Sequence, residues 1–93
     1  MKKHEYGQQK NIIYAQLKKI RKEKGLTQTE LAAKMQILNI NIDQQMISRI
    51  EQNLRIVTDY ELACFAIALD VSKQALLADF LEKNSGDDAS SQG

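Results

Sequence analysis

Four helix starts in this chain follow one local pattern, and together they favour an all-α fold. Each has a capping side chain, an apolar residue just before the cap and another four positions after it, which is the hydrophobic staple. The staple and cap residues are Leu26, Thr27 and Leu31; Ile42, Asp43 and Ile47; Val57, Thr58 and Leu62; and Val71, Ser72 and Leu76. In "TQTE" and "TDYE", a glutamate three residues after the threonine can complete a capping box. The alternation typical of a strand is nearly absent.

These starts predict helices over about 28–37, 44–52, 59–69 and 73–83. A first helix over about 11–24 has Ile13, Leu17 and Ile20 on one face, and Gly25 can end it. The prediction is one domain over 11–83, with a flexible basic arm at 1–10 and a disordered acidic tail at 84–93. The predicted core consists of Leu17, Ile20, Leu31, Ala32, Met35, Ile47, Ile50, Leu62, Ala66, Leu69, Leu76 and Phe80.

Charge is unevenly distributed in this 93-residue chain, although its net charge is only +1. Residues 1–24 hold eight Lys or Arg against two Glu, which suggests a polyanionic partner or, equally, a solvated helix face. No apolar run approaches the roughly 18 residues of a membrane span, so a cytoplasmic protein without membrane contact is expected. One Cys and one His, far apart, predict neither a disulfide framework nor a metal site, and no cofactor is expected.

Three segments resemble one known family. "LKKIRKEKGLTQTELAAKM", "ISRIEQNLR" and "ELACFAIALDVSKQALL" are similar to the Xre-type helix-turn-helix domain of phage lambda repressor and Cro-like proteins, over about residues 16–81. The resemblance implies a five-helix lambda-repressor-like domain whose third helix lies in the major groove of DNA. One departure is "KMQILNINID", which has Gln36 where the family usually has glycine and is about five residues longer. The second helix is therefore expected to run to about Leu38, with a lengthened turn after it.

The resemblance also implies which residues touch DNA. Gln44 and Gln45 fall at the start of the third helix, and a glutamine amide offers the donor and acceptor that an adenine edge requires. Polar residues also begin helices simply because that end is solvated, so the alternative is a structural role. The expected base contacts are Gln44, Gln45, Met46, Ser48 and Arg49. The expected phosphate contacts are Thr27, Gln28, Asn53, Arg55 and Lys18.

Arg21 and Glu51 match a family pair in which an arginine of the first helix bridges to the glutamate that ends the third. A planar guanidinium can bind a carboxylate through two hydrogen bonds and so fix the angle between two helices. The resemblance therefore implies a structural salt bridge, against the alternative of two unpaired surface charges.

The expected function is sequence-specific transcriptional regulation, as a repressor that binds double-stranded DNA. The alternative is an antitoxin-like or protein-interaction module whose main role is to bind a partner protein. An enzyme is not expected, because no nucleophile–base pair or paired carboxylates are visible. Family members usually bind inverted-repeat operators as homodimers. The stripe of Leu76, Leu77, Phe80 and Leu81 suggests an interface through Leu77 and Leu81, unless all four close the monomer's core.

Overall fold

The computed structural model describes residues 9–83, and these residues form helices without a strand. The helices are α1 (Tyr14–Glu23), α2 (Gln28–Ile37), α3 (Gln44–Glu51), α4 (Asp59–Leu69) and α5 (Lys73–Leu76), and residues 78–83 are again helical. Residues 1–8 of the predicted arm (1–10) and the whole predicted tail (84–93) lie outside the described residues. The all-α prediction is confirmed for the described part of the chain.

All four predicted caps begin helices. Thr27, Asp43, Thr58 and Ser72 each accept a hydrogen bond from the backbone N–H three residues on, at 2.9–3.2 Å. Both predicted capping boxes form, because Glu30 and Glu61 accept the N–H groups of Thr27 and Thr58. These bonds satisfy donors that a helix start leaves without an internal partner, so the helix boundaries are set locally.

The first four helices end in the same way. After each one, a residue with positive φ donates its N–H to the carbonyl of the residue three positions earlier. The N–H of the following residue donates to the carbonyl five positions before it. This is the Schellman arrangement. The positive-φ residues are Gly25, Asn39, Asn53 and Asp70. Asparagine and aspartate tolerate this conformation better than most residues, which explains how three helices end without glycine.

Two predicted boundaries are wrong. The first helix starts at Tyr14 rather than at residue 11, because the side chain of Asn11 accepts the N–H of Ile13 in an Asx turn. The last helix is interrupted at Leu77 rather than continuous over 73–83. Hydrogen bonds from Leu77 N–H to Lys73 and from Leu81 N–H to Leu77 keep helical spacing on both sides of this interruption.

The core lies between α1, α2, α3 and α4, and α5 closes one end of it. α2 packs against α3 and α4, α1 packs against α3 and α5, and α5 packs against α4. Leu62 and Phe80, predicted inside, are half-buried, whereas Ile42 and Phe65 are completely buried. The buried apolar residues are Ile13, Leu17, Ile20, Leu31, Ala32, Met35, Ile42, Ile47, Ile50, Phe65, Ala66, Leu69 and Leu76.

Candidate nucleic-acid interface

Helix α3 divides its side chains between the core and the surface. Ile47 and Ile50 are fully buried, while Gln44, Gln45 and Arg49 are exposed. Of the other two residues predicted to contact bases, Met46 and Ser48 are half-buried, and Met46 packs against the core. The exposed side of α3 is therefore polar, and it begins with the two glutamines.

The start of α3 is held by its cap. Asp43 has an extended backbone and accepts the N–H of Met46 at 2.9 Å. Because the helix begins directly after this residue, Gln44 and Gln45 occupy its first two positions. This end of a helix carries partial positive charge, which suits contact with a polyanion.

A shallow cavity of about 250 Å³ brings several predicted contact residues together. Gln45, Met46 and Arg49 line it from α3, and Leu54 and Arg55 line it from the segment that follows. Leu54 was missing from the sequence predictions. It is an exposed leucine immediately after the helix end, and this exposure became visible only in the folded chain.

The structure brings Arg21 and Glu51 together as a buried ion pair. Arg21 Nε lies 2.7 Å from Glu51 Oε2, and a second guanidinium nitrogen lies 3.0 Å from Oε1. The side chains are only 9% and 2% exposed. The hydrogen bond with Glu51 raises the pKa of Arg21, although burial opposes this. The remaining guanidinium nitrogen donates to the carbonyl of Leu26 at 2.8 Å, so Arg21 joins α1 to α3 and to the start of α2.

Gln28 extends this pair to the exposed side of α3. Its Nε2 donates to Glu51 Oε1 at 3.0 Å, and its Oε1 accepts from Gln44 Nε2 at 2.7 Å. Sequence reasoning assigned Gln28 and Gln44 to separate DNA contacts and missed their mutual bond. The sequence indicates only that Gln44 and Glu51 lie on one face of α3, because they are seven residues apart, about two helical turns.

A model of the helix-turn-helix family matches residues 17–76, which include all of α2 and α3 and the turn between them. The chain belongs to the helix-turn-helix family. The match confirms the resemblance to Xre and lambda repressor-like proteins, a family of DNA-binding regulators. Comparisons with curated proteins and with solved structures gave no match.

The turn of this helix-turn-helix is long but anchored. α2 ends at Ile37, and residues 38–43 lead to α3. Ile40 donates its N–H to the carbonyl of Met35, and the side chain of Gln36 donates to the carbonyl of Ile42 at 3.3 Å. Ile42 itself is completely buried. The extra residues are thus tied to the end of α2 and to the core.

The segment after α3 is held by two asparagines. Asn11, only 8% exposed, donates from its amide to the carbonyls of Ile50 and Arg55 at 3.0 and 2.9 Å. The amide oxygen of Asn53 accepts the N–H groups of Lys10 and Asn11. Sequence reasoning missed Asn11, because its partners lie 39 and 44 residues away in the chain.

The predicted phosphate contacts of the helix-turn-helix differ in their surroundings. Arg55 is half-buried and binds Glu61 through two nitrogens at 3.1 and 3.2 Å. Burial alone would raise the pKa of Glu61, but hydrogen bonds from Arg55 and from the Thr58 backbone outweigh it and lower this pKa. Thr27 is the exposed cap of α2, Gln28 is half-buried beside it, and Lys18 is exposed on α1.

Residues predicted to form a dimer interface lie at the other end of the described chain. Leu77 is half-buried and packs against the core, whereas Leu81 is 40% exposed.

Among residues 9–83, no helix is both long and apolar enough to cross a membrane. Within the same range, no group of three or more His, Cys, Asp or Glu side chains could hold a metal ion.

Proposed function

We propose that this helix-turn-helix protein is a sequence-specific transcriptional repressor that reads the major groove with α3. The observation that carries the proposal is the position of Gln44, which is exposed at the start of α3 while its amide is held by Gln28. A planar amide restrained in this way can bind an adenine edge through one donor and one acceptor. Gln45, Arg49, Ser48 and Met46 follow it as candidate base contacts.

Residues at the start of α2 are proposed to contact the phosphates of the DNA backbone. Thr27 and Gln28 stand at a helix N-terminus, where free N–H groups and the helix dipole favour a phosphate oxygen. Arg55, Asn53 and Lys18 complete the proposed phosphate contacts. Glu61 holds the Arg55 guanidinium in one place, so a phosphate would share this guanidinium with the carboxylate rather than meet a free side chain.

Replacing Gln44 or Gln45 with alanine should weaken binding to the preferred site by about 1–3 kcal/mol. Binding to random duplex DNA should hardly change, because phosphate contacts supply most of it. The site is first selected from random duplexes, and affinities are then measured by fluorescence anisotropy at one fixed salt concentration. Gln74→Ala is the matched control, since Gln74 is also an exposed glutamine but lies on α5, outside α2, α3 and the residues proposed to contact DNA.

Equal losses on the selected site and on random DNA would show that these glutamines bind backbone or support the fold. If selection at low salt yields no preferred sequence, the proposed repressor function is wrong. Co-purification with a partner protein in that case would favour the antitoxin-like alternative.

We also propose that the protein acts as a homodimer on an inverted-repeat operator. A single α3 covers only a few base pairs, too few for selectivity within a genome. Two copies would place their α3 helices in successive major grooves about 34 Å apart. Leu81, an exposed leucine next to the half-buried Leu77, offers an apolar contact for a second copy.

Leu81→Glu should shift sedimentation towards the monomer and weaken operator binding, with helical circular dichroism unchanged. Leu77→Glu should do the same but also destabilise the monomer, because Leu77 packs against the core. Ile67→Glu, an exposed position on α4, is the control. A wild-type protein that sediments as a monomer at high concentration and protects a single half-site would contradict the dimer.

A further inference from the structure

Lys10 and Asn11 are bound to the C-terminal end of α3 by the side chain of Asn53. The amide oxygen of Asn53 accepts the N–H of Lys10 at 2.9 Å and the N–H of Asn11 at 3.3 Å. The buried amide of Asn11 donates in turn to the carbonyls of Ile50 and Arg55, at 3.0 and 2.9 Å. These hydrogen bonds hold the backbone of Lys10 beside the end of α3 and beside the segment that follows it.

Two donor groups at this place remain for a ligand, the ammonium of Lys10 and the NH₂ group of Asn53. Lys10 is exposed and forms no ion pair within residues 9–83. Asp59 lines the same cavity of about 340 Å³ as Lys10 but does not pair with it. The oxygen of Asn53 is used by two N–H groups, whereas its NH₂ group donates to no other described residue. A cation next to an amide donor suits the oxygens of a phosphate.

Arg55, the other cation of this segment, already has a partner. Glu61 binds its guanidinium through two nitrogens at 3.1 and 3.2 Å, and one of these nitrogens also donates to the carbonyl of Ile56 at 3.0 Å. The carboxylate offsets the charge of Arg55, so this pair attracts a phosphate less than a free arginine would. Lys10 therefore adds an uncompensated positive charge where the end of α3 is slightly negative.

We infer that Lys10 is a further phosphate contact of this protein and that Asn53 is the residue that positions it. The inference rests on the proposed binding of α3 in the major groove. In that arrangement the N-terminal residues of the helix contact base edges, and phosphates flank the groove. The Lys10 ammonium and the Asn53 NH₂ group would donate to one phosphate beside the C-terminal end of α3.

This role also explains why asparagine suits position 53. The backbone there has a φ of 62°, a conformation that glycine adopts without strain. Asparagine tolerates the same conformation and adds an amide, which glycine lacks. In this chain the amide ends α3 and at the same time holds Lys10 and Asn11 against it.

Lys10→Met should weaken binding to every duplex by about 3- to 10-fold at one fixed salt concentration, because a phosphate contact carries no base information. The slope of log K against log salt should become shallower by about 0.9, the value for one phosphate. Fluorescence anisotropy at several salt concentrations measures both quantities, on the selected site and on random DNA. Lys10→Arg should keep the wild-type slope. Lys73→Met, at an exposed lysine of α5, is the control and should change neither quantity.

Asn53→Gly tests the positioning role, since glycine keeps the end of α3 but cannot hold Lys10. This variant should weaken binding at least as much as Lys10→Met does. Adding Lys10→Met to Asn53→Gly should then have little further effect on affinity or on the salt slope. Urea unfolding of each variant establishes that DNA binding is compared between folded proteins.

Four results would contradict the inference. If Lys10→Met leaves affinity and salt slope unchanged while the protein still binds its selected site, Lys10 is not a contact, but the proposed function stands. If Lys10→Met changes only the free energy of unfolding, Lys10 merely stabilises the end of α3. Equal losses from Lys10→Met with and without Asn53→Gly would show that Asn53 does not position it. If the wild-type protein does not bind DNA at low salt, the proposed function and this inference fail together.

Discussion

Replacing Glu51 with alanine should lower the free energy of unfolding by about 3–5 kcal/mol, because the substitution leaves Arg21 as a buried charge without its partner. Glu51 accepts two hydrogen bonds from Arg21 and one from Gln28, and its side chain is only 2% exposed. Urea unfolding at neutral pH measures the loss. Glu23→Ala is the control, since Glu23 is exposed at the end of α1 and should change stability by less than about 0.5 kcal/mol.

A double-mutant cycle separates the ion pair from general damage to the helices. Arg21→Met and Glu51→Ala should each destabilise strongly, and the double variant should lose much less than the sum of the two. Coupling near zero would mean that the two charges contribute independently, and that the pair does not set the angle between α1 and α3.

Replacing Ile42 with alanine should cost about 2–5 kcal/mol of stability, because it empties a fully buried site beneath the lengthened turn. Ile37→Ala provides a matched control only five residues away. Ile37 ends α2 and is 80% exposed, so the same chemical change there should be nearly neutral. Both variants are compared by urea unfolding, with similar denaturant dependence expected if unfolding stays two-state.

Similar, small losses for both variants would show that the turn does not depend on the core for its position. A large loss at Ile42 alone would support the view that this turn is a structured part of the reading unit despite its length. DNA binding by the Ile42→Ala protein, tested below its melting temperature, should also weaken, because Ile42 directly precedes the cap of α3.

Helix boundaries were the most predictable part of this fold, and the reason is their locality. A cap, a staple and a capping glutamate all act within about six residues, so Thr27, Asp43 and Thr58 could be assigned from the sequence without knowing the packing. The start of α1 could not be assigned in this way. Its position depends on Asn11, whose amide binds carbonyls that only the folded chain brings near.

The residues of the candidate site could be predicted from the sequence, but most of the hydrogen bonds between them could not. The resemblance to the family suggested Arg21 and Glu51 as a pair but Gln28 and Gln44 as separate DNA contacts, and periodicity alone would not have joined these two glutamines. The bond between Gln28 and Gln44 joins residues 16 apart on two helices, and it exists because α2 packs against α3 at one particular angle. Arg55 was expected to be available for phosphate, but Glu61 serves both as a capping residue and as its ion-pair partner.

The hydrogen bonds from Asn11 to the end of α3 have a consequence for the order in which parts of the chain fold during synthesis. Residues 10 and 11 leave the ribosome some 40 residues before the carbonyls and the Asn53 amide that they bind. Closing so long a loop is entropically costly until the intervening helices have packed. The earliest described residues of the chain are therefore expected to be among the last to settle, and the segment behind the reading helix gains its final shape only when synthesis has passed it.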